Sequence, residues 1–218
     1  MSHADNEKEN DAMTSSMVIA RREMHAYFNS PVAYIVVGLF LLLAGYFFFT
    51  PLFINGTASL RLFFGIAPVL FVVFGPALTM RLIAEERKSG TMELLLTLPI
   101  RDVDVVVGKF LAAVGIVGVA LLCTLPYPLS VSSLTAECST MDWGPVVGGY
   151  IGLMLMASSF LALGLLASAL SKNQIVGFIV GLVFCFAFYF IDKLTIFLPQ
   201  KAAGLFEFLS VDTHFQNI

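Results

Sequence analysis

Charge is what this 218-residue chain has least of. Asp, Glu, Lys and Arg make up 12% of it, while 58% is hydrophobic. Soluble domains average about 25% charged and about 45–50% apolar. A soluble fold of this length has no interior large enough for such an excess, so lipid must be the solvent for much of the chain. The formal net charge is −3, and basic residues occur only singly or in pairs, which excludes a nucleic-acid partner. Three cysteines, Cys123, Cys138 and Cys185, show no metal or redox spacing, and their odd number argues against a disulfide framework. His3, His25 and His214 are scattered, with no Ser/His/Asp or metal constellation around them. Gly108-Lys109 is a fragment of a phosphate-binding loop only: Val103 stands where a glycine is required and Phe110 where Ser or Thr is required. No catalytic, metal or cofactor site is therefore expected on this chain, and it reads as a non-enzyme.

Long apolar runs dominate what is present. Pro31–Thr50, Leu62–Met80, Phe110–Ser130, Pro145–Leu170 and Ile175–Ile191 approach or reach the ~20 apolar residues needed to cross hydrocarbon as a helix. Strand alternation is missing, and helices leave no backbone group unpaired in lipid. The expected fold is all-α, a polytopic membrane helical bundle of five spans in one domain, 13–218. No Asp, Glu, Lys, Arg or His lies inside these five runs. Intramembrane charges mark ion pathways in pumps and coupled carriers, and charged rings mark many channels. If this protein moves anything, its energy must come from elsewhere.

Residues 1–12, MSHADNEKENDA, read as a disordered polar tail. Met17, Ala20, Met24, Tyr27 and Phe28 then recur at helical spacing, with Arg21, Arg22 and His25 on the remaining turn. The pattern predicts an amphipathic helix in the membrane interface over 13–30, ended by Asn29-Ser30-Pro31. With the N-terminus inside, Lys8, Arg21, Arg22, Arg81, Arg87, Lys88, Arg101, Lys109 and Lys172 all fall on the cytoplasmic side, against Arg61, Lys193 and Lys201 outside. Pro126 and Pro128 predict a kink in the third span. Gly144, Gly148 and Gly152 stand four apart, as do Gly177 and Gly181, and such stripes let helices approach closely, within the subunit or across a dimer. From Asp192 on, short amphipathic helices are expected on the outer surface.

Arg81–Arg101 is the exception to the scarcity of charge. Arg81–Ser89 extends the second span, Gly90 suits a left-handed helix end, and Thr91 with Glu93 suits the start of a new short helix. Leu94, Leu95, Leu96 and Leu98 make that helix too apolar for water, and Pro99 closes it. A helix, break and helix with a specific charge pattern offers a docking surface for another protein, since complementary charge sets register.

The run EERKSGTMELLLTLPI over Glu85–Ile100, followed by GKFLAA over Gly108–Ala113, resembles the permease subunits of type-two ABC exporters. The stretch Arg21–Phe49 is similar to the branch associated with gliding motility. The resemblance implies a bacterial inner-membrane (plasma-membrane) permease domain with a cytoplasmic N-terminus and an elbow helix. It also implies a coupling helix that docks on a separate cytoplasmic ABC ATPase, through Glu85, Glu86, Arg87, Gly90, Thr91, Glu93 and Pro99. Ser171–Gln174, with Lys172, would be a smaller second contact. ATP and magnesium would sit on the ATPase, and a second permease copy, identical or paralogous, would complete the pore. Six spans are usual in that family; five are visible here, and a sixth is expected to begin shortly beyond Ile218. The alternative function is a non-transporting membrane anchor or assembly platform for an ATPase.

Overall fold

In lipid every backbone group must pair within its own segment, and the apolar runs fold accordingly. The computed structural model describes residues 3–55, 60–91, 101–134 and 143–190, and their regular structure is helical throughout. The helices are α1 His3–Phe28, α2 Pro31–Asn55, α3 Arg61–Thr79, α4 Ala84–Ser89, α5 Asp102–Cys123, α6 Pro126–Leu134, α7 Trp143–Leu170 and α8 Gln174–Phe190. Among the described residues, by length and composition, 4 stretches can cross a membrane: Pro31–Phe53, Arg61–Ser89, Asp102–Val131 and Trp143–Leu170. The fifth apolar run is α8, shorter at 17 residues. The leucine helix expected over 94–98 and the outer helices expected after Asp192 lie outside the described residues.

Two boundaries differ from expectation. Helix α1 begins at His3, inside the stretch assigned to a disordered tail. That stretch has no Pro or Gly, and its Ala, Glu and Lys residues have high helix propensity, so the helix runs back through it. The helix of the third span begins at Asp102, ahead of Phe110. It therefore carries Asp104 and Lys109, both buried, before the charge-free run starts.

Helix α3 is the central element, with 61% of its spanning window buried, against 22% for α2. It packs against α2, α7 and α8, and α1 packs along α5. Ser16 meets Asp104, Ile19 meets Gly108 and Met24 meets Gly115, so α1 ascends α5 in the same direction. Between α2, α3 and α6 the contact is aromatic: Phe40 stacks on Phe71 at 5.1 Å and Phe48 on Tyr127 at 4.7 Å.

The kink expected at Pro126 and Pro128 is a full break between α5 and α6. Neither proline has an N–H, so the Leu122 and Thr124 carbonyls lose their helical donors. Leu125 N–H donates to Leu122 at 3.1 Å instead. Tyr127 N–H, at 2.9 Å, and the Tyr150 hydroxyl, at 3.1 Å, donate to the Thr124 carbonyl.

Since lipid is as apolar as leucine, helices in a membrane associate through close packing rather than the hydrophobic effect. Helices α3, α7 and α8 meet where Pro76 faces Gly164 and Gly181. A Cβ at Gly181 would stand 3.1 Å from Pro76 Cβ and 3.4 Å from Ala167 Cβ, and one at Gly164 would overlap the Thr79 hydroxyl. Gly177 packs on Ser168 and Met80 in the same way. Gly177 and Gly181 are thus used inside the subunit. Gly152 is buried, Gly148 is half-buried, and Gly144 is exposed with open space around it. Overpacking a tight contact typically costs about 1–3 kcal/mol. Gly164→Leu should therefore lower the thermal midpoint of the purified chain in detergent, whereas Gly144→Leu should leave it unchanged.

Candidate functional site

The chain bends between α3 and α4, at Met80–Ile83, and the bend leaves backbone groups without helical partners. A single side chain from α7 satisfies them. The Ser168 hydroxyl donates to Met80 O at 2.9 Å and accepts from Ile83 N–H at 3.2 Å and Ala84 N–H at 3.1 Å. One donor and two lone pairs exhaust what a hydroxyl has. Arg87 makes the reciprocal link, donating to Ala169 O in the last turn of α7 at 2.6 Å. The carbonyls at a helix C-terminus carry partial negative charge, which favours a guanidinium there.

Glu86 points the other way, into the protein. Its Oε1 lies 2.7 Å from the Lys109 ammonium, which also donates to Glu23 Oε1 of α1 at 3.2 Å. Lys109 is 1% exposed. Arg22 borders the cluster, 2.9 Å from Glu23 and 3.9 Å from Glu86. Two acids and two bases balance formally. The second Glu86 oxygen, Oε2, is buried without a hydrogen-bond partner among the described residues. Gly108 is the reason α1 comes near enough: a Cβ there would stand 2.7 Å from Ile19 Cγ2 and 2.9 Å from Ser16 O. In Gly108-Lys109 one residue admits α1 and the next binds it.

A third link joins α1 to the end of α3. The Tyr27 hydroxyl donates to Leu78 O at 2.6 Å. Arg81 lies 5.9 Å over the Tyr27 ring, donates to Ser30 Oγ at 2.7 Å and pairs with Glu85 at 3.6 Å. Burial pushes the Tyr27 phenol well above its ordinary range, against the pull of Arg81, so it stays a protonated donor at any physiological pH.

Glu85, Arg87, Lys88, Ser89, Gly90 and Thr91 are exposed and form the outward face of α4. Gly90 ends the helix at φ 74°, ψ 0°, in the left-handed region. Thr91 is itself helical, its hydroxyl 2.9 Å from that of Ser89. Lys172 is exposed in the turn between α7 and α8, the two helices that α4 touches on this side. In that turn Asn173 Oδ1 accepts from Ile175 N–H at 3.0 Å and caps α8. Glu93 and Pro99 lie outside the described residues. Of the acidic residues singled out from the sequence that are described, Glu85 is exposed and Glu86 turns inward. Those missed were Glu23, Tyr27, Lys109 and Ser168. A lone lysine directly before an apolar run was the available signal for Lys109, while nothing in the local sequence distinguishes Ser168 from its neighbours.

Removing one partner of a buried ion pair leaves an uncompensated charge and typically costs about 3–5 kcal/mol. Lys109→Met should therefore lower the thermal midpoint strongly, and Lys109→Met with Glu86→Gln should recover part of the loss in a double-mutant cycle. Ser168→Ala strands two N–H groups and a carbonyl. At about 1–3 kcal/mol for an unsatisfied buried group, it should show as faster proteolysis at Met80–Ser89.

Residues 1–210 match the family model described as ABC-2 family transporter protein. No curated protein matches the chain.

Proposed function

The chain belongs to the ABC-2 family of transporter proteins, and from that premise we propose that it is the permease of an ATP-driven exporter and takes its energy at α4. A separate cytoplasmic ABC ATPase, holding ATP and magnesium, docks on the exposed face of α4 and the segment after it. Lys172, on the neighbouring turn, provides the smaller contact. The distribution of Lys and Arg favours a cytoplasmic N-terminus, and a second permease copy completes the translocation path. A bacterial inner membrane and kinship with the gliding-motility branch follow the resemblance of Arg21–Phe49.

One observation carries the reading. A six-residue helix is far too short to be stable alone, yet α4 presents an exposed charged face while its other side is tied to α1, α5 and α7. Such an element can receive force on one side and pass it to three helices on the other. Glu86 contributes by holding α4 to Lys109 instead of touching the ATPase, and the outward contacts fall to Glu85, Lys88, Gly90 and Thr91.

Lys88 is the direct test, since it is exposed and reversing its charge disturbs none of the internal links described above. Lys88→Glu should reduce recovery of the ATPase in co-purification on the order of tenfold, the equivalent of ~1.4 kcal/mol, with membrane insertion intact. Unchanged recovery would sink the docking surface.

A further inference from the structure

One face of α1 takes no part in the hydrogen bonds and ion pairs described above. Met17, Ala20, Arg21, Met24, His25 and Phe28 follow one another at helical spacing and, with Leu111 of α5, line a groove of about 670 Å³. Pockets that hold small molecules are typically about 300–1,000 Å³. The walls are thioether, aromatic and aliphatic carbon. Met17 is 69% exposed, Phe28 43% and Leu111 42%, so the surface is open to whatever surrounds the protein.

The polar members stand together on the rim. Arg21 and His25 are four residues apart and so neighbours on the helix surface, and both are exposed. Arg22, next in sequence, is engaged with Glu23 and Glu86. Arg21 makes no ion pair among the described residues and has its guanidinium fork available. A planar fork of N–H donors suits two oxygens of a phosphate.

We propose that this groove binds an anionic phospholipid, one acyl chain lying between α1 and α5 and the phosphate held by Arg21 and His25. The occupant follows from position and chemistry. The groove runs along α5 past Leu111 toward Gly115, where the polar start of the Asp102–Val131 stretch gives way to the apolar run that begins at Phe110, and such a transition suits the boundary of headgroups and acyl chains. Its apolar floor and cationic rim reproduce the two halves of such a lipid in order, and an amphipathic helix with basic residues on its polar face binds anionic interfaces for the same reason. Bound there, the lipid would clamp α1 to α5 beside the Glu23–Lys109 contact. The inference rests on membrane location and is independent of ATP coupling.

The test uses the full chain, purified in detergent and stripped of lipid, with its thermal midpoint measured after adding dioleoyl phosphatidylglycerol or dioleoyl phosphatidylcholine. Phosphatidylglycerol should raise the midpoint by at least about 2–4 °C, the shift that about a fivefold change in the folding equilibrium gives in a chain of this size, and phosphatidylcholine by much less. Arg21→Glu should abolish that increment and leave the lipid-free midpoint unchanged, as exposed substitutions usually do. Leu111→Trp, which fills the groove, should abolish it too and remove the phosphatidylglycerol adduct seen by native mass spectrometry. No shift, equal shifts from the two lipids, or a full shift in either variant would overturn the proposal. So would a dimer that Leu111→Trp dissociates while the lipid shift persists, because the groove would then seat a second copy.

Discussion

A lysine ammonium buried between two carboxylates holds the α4 end of this molecule together. Lys109 belongs to α5, Glu23 to α1 and Glu86 to α4, and one charge joins all three. An ammonium with 1% exposure has lost its water, so losing either partner leaves a buried charge poorly compensated. The arrangement need not add stability relative to a well-packed apolar core. What it imposes is a geometry: neither α1 nor α4 can leave α5 without stranding an ion in a poor solvent. The close approach at Gly108 is its steric precondition, and the balancing charge of Arg22 its electrostatic one.

The other links also join elements through directional polar groups. Ser168 spends its whole hydroxyl on the bend before α4, and Arg87 spends its charge on the end of α7. Tyr27 ties α1 to the last turn of α3. The far end of the bundle is held mainly by packed rings of Phe48, Phe63, Tyr127 and Tyr150, with the Tyr150 hydroxyl on the Thr124 carbonyl. Apolar contacts of that kind tolerate sliding, whereas directional hydrogen bonds and ion pairs do not.

Much of the helical layout was legible in advance because its causes are local. Apolar run length set the spans, Pro126 and Pro128 set the α5–α6 break, and Gly90 set the left-handed end of α4. Boundaries that depend on partners were not legible. Asp104 and Lys109 look like the flank of a span until α1 is placed beside them, with Ser16 donating to Asp104 at 3.4 Å. Residues 3–12 look like a tail because composition reports the lack of a core face and not the continuity of a helix.

The candidate site divides along the same line. Residue types alone determined that this is a helical membrane protein with a charged, glycine-broken segment after its second span, because solvent preference and backbone permissiveness belong to individual residues. Which of those charges face outward was decided only by tertiary structure. Glu85 and Glu86 are adjacent and chemically alike, yet one is exposed and the other is bound to Lys109, 23 positions further along. A helix turns about 100° per residue, so neighbours in sequence meet different surroundings. Those surroundings came from α1 and α5, whose approach no local pattern encodes.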